Sequence, residues 1–443
     1  MDRVTALADL LQTTFSTVAV EANDVAKCVK RVRKFSPVSL AQAFILGFLS
    51  DPRAGADHIA DTAASLGVSI SPQAVEQRYS PQLQVFFRTL FEKMVQVVVR
   101  AEGPLTTILD RFTEVRLIDS SVIALPDSQA ETYRGCGVRN GHVKSALKLQ
   151  TELDLKSGQL LGIQIEPGKQ PDQGTDRQHI RPPAGSLRIT DLGYFNLAVF
   201  AMIHAAGAFF LSRTQHTVSL CSGGKGMNLI AWLSRQGVRA IDQEVILGTK
   251  NKLACRLIAW RVPPQIENAR RRKLRQSLID RGRTPSEKAL ANCAWEYLIT
   301  NLSEDQLSFR EAIIMYRSRW QIELLFKRWK SNCQIDLLDG RDDEIKMTRL
   351  WIRLCAAILQ HWLIVIIGWP EATAISFAKL ASLIAKMAAE IASHLNASSA
   401  QLVDFFNRLI SRVRRRCQRT KRKAKPGTME LLADPNLLEY CLT

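Results

Sequence analysis

Apolar and polar positions follow a helical period over the first hundred residues of the chain. One predicted helix begins just after Ser36, a typical capping residue. Two further helical segments, 58–66 and 71–78, lie on either side of Gly67, which predicts a helix, a glycine turn and a second helix. Residues 1–100 are therefore predicted to form a helical N-terminal domain.

The pattern changes near residue 113 to the two-residue alternation that is typical of strands. The predicted elements then follow the mixed order of an α/β layer. They are strands at 115–119, 147–155 and 160–165, a loop-rich piece at 167–183, a strand at 187–191, a helix at 196–206 and a strand at 208–213.

Residues 214–302 interrupt this order. They contain two predicted strands, at 243–249 and 255–262, and a basic stretch at 270–275. The segment Ser222-Gly223-Gly224-Lys225-Gly226 lacks the spacing of a phosphate-binding loop, so we predict a turn there.

Helical patterns return in the last third of the chain, with predicted helices at 304–330, 344–368 and 372–393. The most apolar run, 355–368, is short for a membrane span, which favours a buried core helix. The tail at 408–425 carries ten bases and no acid. It is predicted to be either a helical face that contacts nucleic acid or a frayed polybasic arm.

The charge balance indicates the kind of partner. The 443 residues include 60 Lys and Arg against 42 Asp and Glu, a net charge of +18. Such an excess on a soluble globular chain favours nucleic acid first and an acidic membrane second. The nine cysteines form no C-x-x-C pair and no signal-peptide pattern is found, so we expect a reduced cytosolic setting and no zinc ribbon.

The basic charge gives the two N-terminal helices around Gly67 two possible roles. In a helix-turn-helix, the second helix would present Gln73, Gln77 and Arg78 to DNA. A plain helical hairpin is the alternative.

Four polar residues share one side of the predicted helix at 304–330: Tyr316, Arg319, Glu323 and Lys330. At about 100° per residue they form a stripe about 60° wide. A carboxylate among phosphate-binding groups suits a site for a metal ion and a nucleic-acid backbone. The alternative is a solvated face with an Arg319–Glu323 pair. The predicted buried side next to the stripe consists of Met315, Ile322, Phe326 and Trp329.

Three acids stand out by position. Asp119 and Asp191 each end a predicted strand, and Glu323 lies on the helix after the interruption. In an open α/β sheet, strand ends and an adjacent helix converge on a shared site. Three carboxylates repel one another unless a divalent cation neutralises them, and Mg²⁺ prefers such oxygen ligands. Taken singly, each acid is better explained as a cap or turn residue, but the joint pattern of the three favours a shared site.

The chain resembles the DDE transposases of bacterial insertion sequences, in the subgroup named for a Y-(2)-R-(3)-E-(6)-K signature. The four residues of the stripe fit that spacing without a gap. Asp119-Ser120-Ser121 resembles the family's first aspartate motif, and Asp191-Leu192-Gly193-Tyr194-Phe195 resembles the second. The resemblance covers roughly residues 30–390.

This resemblance implies an α/β fold with an RNase H-like mixed sheet flanked by helices and a mostly β insertion before the helix of Glu323. It also implies a helical N-terminal domain and a helical, basic C-terminal region. The predicted domains are a DNA-binding domain at 1–100, catalytic core at 101–213, β-rich insertion at 214–302, catalytic core at 303–390 and basic region at 391–443.

The resemblance also implies an activity. A cut-and-paste transposase binds terminal inverted repeats, cuts the element ends through a hairpin and joins them to target DNA, as a homodimer in a synaptic complex. Two Mg²⁺ ions, which Mn²⁺ can replace, would be held by the three acids. Tyr316, Arg319 and Lys330 would hold phosphates at the cut strand end. The expected location is the bacterial cytoplasm, on the nucleoid when DNA is bound, with no membrane partner.

Further DNA contacts are expected from aromatic and basic side chains. Trp295 and Trp320 resemble tryptophans that the family places near the flipped base, although a core position in a strand explains Trp295 equally well. Arg213, Lys144 and Lys148 are candidate contacts to the DNA backbone, with solvated surface charges as the alternative.

Two other functions remain compatible with these residues. An RNase H-like nuclease or resolvase would cleave DNA without strand transfer. A DNA-binding regulator would use the N-terminal helices and the basic tail, with an inactive core.

Overall fold

The computed structural model describes residues 2–103, 106–139, 142–222, 225–420 and 426–438, and the protein is mixed α/β. It divides into two compact units, each made of three chain segments. We call residues 1–105, 120–170 and 321–424 the helical unit, and residues 106–119, 171–320 and 425–443 the sheet unit. The predicted turn at 222–226 and the end of the basic tail, 421–425, lie partly or wholly outside the described residues.

The N-terminal segment is helical, as predicted. Ser36 caps its third helix, since its hydroxyl accepts the N–H of Ser39 at 3.1 Å and the Ser39 hydroxyl accepts the N–H of Ser36 at 3.0 Å. Gly67 has a φ of +78°, so the turn after the fourth helix favours glycine. The helices are α1 (Arg3–Thr13), α2 (Ala19–Ala26), α3 (Pro37–Ser50), α4 (Ala56–Ser65), α5 (Pro72–Glu76) and α6 (Pro81–Met94).

Strands begin where the pattern changes. The predicted hairpin at 157–158 is confirmed, with Gly158 at a φ of +72°. One strand, β2, was not predicted because Arg-Gly-Cys-Gly-Val-Arg does not alternate. The elements are β1 (Val115–Leu125), β2 (Arg134–Arg139), β3 (His142–Asp154), β4 (Leu160–Pro167), α7 (Asp176–His179), β5 (Leu187–Thr190), α8 (Leu197–Ala205) and β6 (Phe209–Arg213).

The segment after β6 contains both predicted strands, and the basic stretch at 270–275 forms a helix. Helices occupy nearly as many of its residues as strands do. The elements are β7 (Ser219–Ser222), β8 (Lys225–Asn228), α9 (Leu229–Arg235), β9 (Ala240–Leu247), β10 (Leu253–Arg261), α10 (Pro264–Ile279), α11 (Glu287–Asn292) and β11 (Trp295–Thr300).

The last part of the described chain is helical. The prediction of a single helix at 372–393 was wrong, because the chain forms two helices that meet at Met387. The helices are α12 (Phe309–Ser318), α13 (Trp320–Asn332), α14 (Asp343–Gly368), α15 (Phe377–Lys386), α16 (Ala388–Leu395), α17 (Ser399–Arg416) and α18 (Thr428–Ala433).

The predicted helix at 304–330 is also two helices, α12 and α13, and it begins later than predicted. A capping box formed by Ser308 and Glu311 starts α12. At its end the Ser318 hydroxyl donates to the carbonyl of Met315 at 2.6 Å, and the N–H of Arg319 donates to the carbonyl of Tyr316 at 3.2 Å. These tighter bonds interrupt the i→i−4 ladder, as serine side chains often do.

The sheet unit has the strand order β1-β5-β6-β11-β10-β9-β7-β8. Strands β1, β5 and β6 run parallel, and the remaining neighbours pair antiparallel. Helices α8 and α9 contribute apolar side chains to a core that also contains Phe210, Leu257 and Ile299. The parallel strands matter most for the site, because their carboxyl ends meet at one edge.

The helical unit is built around α14, which packs against α3 and α6. With its extension to Glu371, this helix is long and apolar enough to cross a bilayer, with a mean hydropathy of 1.9 over its most apolar window. That window is 100% buried, which confirms the prediction of a core helix at 355–368. Strand β3 pairs with β2 and β4 in the same unit.

A charged network ties α14 to the N-terminal helices within the helical unit. The side chain of Arg353 is fully buried and donates to the carbonyl of Pro52 at 2.7 Å and to the Asp339 carboxylate at 2.5 Å. Asp339 also accepts from Arg349 at 2.8 Å. Burying the Arg353 charge is tolerable because the carboxylate and carbonyls compensate for lost hydration.

We expect Asp339→Ala to lower the free energy of unfolding by about 3 kcal/mol or more, because it leaves the buried Arg353 guanidinium without its carboxylate. Chemical denaturation followed by tryptophan fluorescence measures this loss. The matched control is Asp404→Ala, which removes an exposed ion pair with Arg408 and should cost less than about 1 kcal/mol. Equal losses in the two variants would show that the network does not stabilise the unit.

Candidate active site

The register of three parallel strands in the sheet unit aligns the two predicted aspartates. Leu117 of β1 pairs with Ile189 of β5, and Ile189 pairs with Leu211 of β6. Extended by two residues, past the last paired positions, the same register aligns three residues, which we call the strand-end row: Asp119, Asp191 and Arg213. Because neighbouring strands lie about 4.8 Å apart, we expect the two carboxylates to lie close together where the pairing of β1 with β5 ends.

Asp191 is held in place by the turn that follows it. Its backbone is extended, and its Oδ1 accepts the N–H of Gly193 at 2.8 Å. It therefore does cap a turn, as the alternative explanation proposed, but the turn is a short 3₁₀ turn. The following helix, α8, is capped by Asn196 instead. The cap fixes the carboxylate at the strand end.

Asp119 faces a cation. Its Oδ2 lies 3.5 Å from a guanidinium nitrogen of Arg319, and the two side chains are only 18% and 13% exposed. Partial burial strengthens this attraction relative to a surface pair. Two carboxylates close to one another repel, and the Arg319 guanidinium offsets the negative charge at Asp119.

Tyr316 lies one turn before Arg319, and its ring is 6.0 Å from the Arg319 guanidinium carbon. The pKa of Tyr316 is raised to about 12, mainly because the hydroxyl is buried; Arg319 and Arg213 lower it, and the Asp191 carboxylate adds to the rise. The hydroxyl is therefore neutral at physiological pH and can donate a hydrogen bond. Sequence spacing alone predicted Tyr316 and Arg319; the structure brings both to the strand-end row.

Glu323 and Lys330 lie on α13 in the helical unit, and both are half-buried. The four residues predicted to form the buried side next to the polar stripe are all buried: Met315, Ile322, Phe326 and Trp329. Trp320, at the first position of α13, is 60% exposed, as its direction on the helix predicted.

Trp295 and Lys148 are not on the surface. Trp295 is 3% exposed in the core of the sheet unit, with the Arg261 guanidinium 5.1 Å from its ring centre. It thus occupies the core position that was the alternative to a DNA contact. Lys148 is buried and donates to the carbonyl of Gln170 at 2.5 Å, whereas Lys144 is exposed.

The predicted second helix at 71–78 is only five residues long, α5. Gln73 and Gln77 are exposed. Arg78 is half-buried, with its guanidinium 5.8 Å from the centre of the Phe35 ring. A role for these residues in DNA binding remains a prediction.

One acid near the row was missed by sequence reasoning. A side-chain Cβ on Gly193 would lie 3.1 Å from Oδ1 of Asp191 and 3.3 Å from Oδ2 of Asp172. Glycine therefore leaves room for the Asp172 carboxylate beside the Asp191 turn. Asp172 lies in the loop-rich piece, where no periodic pattern signals its position.

The donor set of the row fits a hard divalent cation, because two adjacent carboxylates offer the oxygen ligands that Mg²⁺ prefers. Within either unit, among the described residues, no three Asp, Glu, His or Cys side chains gather as a complete metal site.

Comparison with known proteins identifies the family. The family described as "Transposase DDE domain" matches residues 110–359, more than half of the chain. The chain belongs to the DDE transposase family. Asp119, Asp191, Tyr316, Arg319, Glu323 and Lys330 of this transposase all lie within the matched region. Membership makes DNA its substrate, and DDE domains generally use divalent metal ions.

Several insertion-sequence transposases are similar over most of their length. The transposase for IS231B of Bacillus thuringiensis subsp. berliner is 30% identical over 335 residues, 69% of this chain and 68% of that protein. The transposase for IS231F of Bacillus thuringiensis subsp. israelensis is 28% identical over 70% of this chain and 69% of its own. The transposase for IS1151 of Clostridium perfringens is 22% identical over 66% of each chain.

The raised pKa of Tyr316, about 12, predicts a pH-dependent loss of stability. The unfolded chain releases this proton near its ordinary value of about 10, and the folded chain holds it until about pH 12, so stability falls over that window. At pH 11 the unfolding equilibrium constant should rise roughly tenfold from this group alone.

Comparing wild type with Tyr316→Phe by chemical denaturation between pH 9 and 11 isolates that effect, since all other tyrosines are common to both. The free energy of unfolding of the wild type, relative to that of Tyr316→Phe, should fall above pH 10. A difference that stays constant over this range would contradict the burial of the Tyr316 hydroxyl.

Proposed function

We propose that this transposase moves a DNA element by cut and paste. It binds the terminal inverted repeats, cleaves the element ends by metal-dependent hydrolysis and transesterification, and joins them to target DNA. The observation that carries the proposal is the strand-end row, in which Asp119 and Asp191 lie side by side with Tyr316 and Arg319 against them.

The proposed fold of the core is RNase H-like. Three parallel strands in one unit and an antiparallel β2-β3-β4 set in the other support it. The long excursion between β6 and α12 supports an insertion ahead of the helix that carries Glu323. The N-terminal helices and the basic C-terminal helix α17 lie outside this core in the proposed domain scheme.

Asp119, Asp191 and Glu323 would hold two Mg²⁺ ions, which Mn²⁺ can replace. When bound, such ions would supply activation of the attacking hydroxyl or water and stabilisation of the departing oxygen of the phosphodiester. The carboxylates do no acid–base work in this scheme. Their positions matter instead. The hydrogen bond from Gly193 to Asp191 and the location of Asp119 within β1 support carboxylates that are positioned before DNA binds.

The neighbouring polar groups would hold the phosphates at the cut strand end. The guanidinium of Arg319 offers paired donors that match two phosphate oxygens. The neutral Tyr316 hydroxyl donates one hydrogen bond without adding charge. Lys330, half-buried on α13, adds a compact positive charge. Arg213 completes the row and offsets the negative charge of DNA at the strand ends.

The hairpin route requires a base to leave the stack, and an exposed aromatic surface lowers the cost of that step. Trp320 suits this role because its ring is 60% exposed and follows Arg319 directly. Trp295 does not suit it in this structure, because its ring lies in a hydrophobic core.

Two element ends have to be held together for cut and paste, so we propose a homodimer in the synaptic complex. The net charge of +18 supports binding of two DNA ends and a target duplex. We expect the protein to act in the bacterial cytoplasm on nucleoid DNA.

Glu323→Gln should lower cleavage at the element boundary by about 10³-fold or more, because it removes a metal-binding charge and leaves the size of the side chain unchanged. The assay uses an end-labelled duplex with the terminal repeats in Mg²⁺, run on a denaturing gel. Glu304→Gln, the same change at an exposed glutamate, is the matched control and should cleave normally. Chelation of the metal should abolish cleavage by the wild type.

The same cleavage assay distinguishes the transposase from the two alternatives, a nuclease or resolvase and an inactive DNA-binding regulator. Cleavage without joining of labelled ends to a target plasmid would favour a nuclease or resolvase. Repeat binding with no metal-dependent cut in either Mg²⁺ or Mn²⁺ would favour an inactive regulator and contradict the proposal.

Trp320→Ala should lower hairpin formation by about tenfold, since a stacked base is worth roughly 1–3 kcal/mol, while the first nick persists. Leu324→Ala, which shortens an exposed apolar residue of the same helix, is the control. Trp320→Phe should restore much of the product. Loss of nicking and hairpin in equal measure would contradict a base-stacking role.

A further inference from the structure

Helix α10 (Pro264–Ile279) lies in a connection that is much longer than its two flanking strands require. It lies between β10 and β11, which are antiparallel neighbours paired through Trp260 with Glu296 and Arg261 with Trp295. Two residues suffice to connect such strands. Here residues 262–294 make the connection, and α10 has no buried residue along its 16 residues.

The helix is anchored along one side. The Arg270 guanidinium donates to the carbonyl of Trp295 at 3.4 Å and pairs with Glu296. Arg271 pairs with Glu267 on the helix itself at 2.7 Å. The half-buried positions of the helix are Glu267, Arg270, Arg271, Leu274 and Leu278. At about 100° per residue, these five fall within about 100° of one another.

The opposite side carries a stripe of exposed residues without an acid. This outward stripe is also about 100° wide. Its members are Gln265, Asn268, Arg272, Arg275, Gln276 and Ile279. Arg272 and Arg275 make no ion pair with any described residue of the sheet unit. Exposed Lys273 lies about 60° from the edge of the stripe, and exposed Arg281 and Arg283 follow the helix. Gln276 of the stripe donates to the Asp280 carboxylate at 2.8 Å.

This region carries a strong excess of positive charge. Residues 264–283 include seven Arg or Lys and two acids. One of these acids, Glu267, is already paired with Arg271 on the anchored side. The outward stripe thus combines two arginines with three side-chain amides. Arginines bind phosphates, and Asn and Gln hydrogen-bond to phosphates and base edges, so the composition fits duplex DNA.

An acidic membrane surface fits less well. A helix that lies on a bilayer needs a continuous apolar face. The two exposed isoleucines of α10, Ile266 and Ile279, point about 140° apart around the helix axis. They form no such face.

We propose that α10 is a DNA-binding helix of this transposase, with its outward stripe against a duplex and Arg272 and Arg275 on phosphates. The helix is about 24 Å long, which spans several phosphates along one groove. This inference rests on the proposed function, since it presumes a protein that acts on duplex DNA. It adds a contact surface within the insertion, separate from the strand-end row.

The test measures binding of the full-length protein to a fluorescent duplex by anisotropy, between 50 and 200 mM salt and without divalent cations. The variant is Arg272→Ala/Arg275→Ala. Its control is Lys250→Ala/Lys252→Ala, which removes the same charge from exposed lysines of the β9–β10 turn. Because α10 contributes no buried residue, the variant should fold normally, and an unchanged thermal midpoint verifies this.

The stripe variant should bind about tenfold more weakly at 100 mM salt, and its slope of log affinity against log salt should fall by about 2, the value for two lost phosphate contacts. The loss should be equal on repeat-containing and unrelated duplexes, and the control should keep the wild-type slope.

Other outcomes would overturn the inference. Wild-type affinity and slope in the stripe variant would remove α10 from the DNA interface while leaving the proposed function intact. An equal loss in the control would show general electrostatics rather than a binding surface. Selective loss of binding to anionic vesicles, with DNA binding unchanged, would assign the helix to a membrane. No duplex binding by the wild type would overturn both proposals.

Discussion

The candidate site depends on the parallel, in-register pairing of β1, β5 and β6. This register places two carboxylates in neighbouring strands, which costs free energy unless positive charge lies close by. Arg319 supplies it at Asp119, and Arg213 ends the same row. In the proposed function, the same pairing that stabilises the sheet would place these carboxylates on a divalent cation, with Tyr316 and Arg319 beside it on the DNA phosphates.

Much of this site was predictable from the sequence because its residues follow local rules. Tyr316 and Arg319 lie in contact, as their spacing predicted, and Asp191 directly follows β5, as predicted. The prediction that Asp119 ends a strand was wrong, because β1 continues past it to Leu125. Contacts between distant segments were not predictable. The approach of Asp172 to the Asp191 turn depends on how a loop packs, and loops carry no hydrophobic period.

The secondary structure likewise divides into elements that the local sequence pattern predicted and elements that it did not. Long periodic segments such as α3 and α14 were predicted, whereas the glycine-containing strand β2 and the break at Arg319 were not. That break depends on hydrogen bonds of Ser318, which a pattern of apolar positions does not encode. Trp295 and Lys148 could not be assigned by residue type alone, since burial is decided by tertiary packing.

The most direct test asks whether Asp119 and Asp191 jointly hold a divalent cation. Fe²⁺ replacing Mg²⁺, with ascorbate and peroxide, breaks the polypeptide beside the metal, and mass spectrometry locates the breaks. The account predicts breaks near residues 119 and 191 that excess Mg²⁺ suppresses and that Asp191→Asn abolishes at both positions. Breaks elsewhere only, or breaks that persist unchanged in Asp191→Asn, would contradict it.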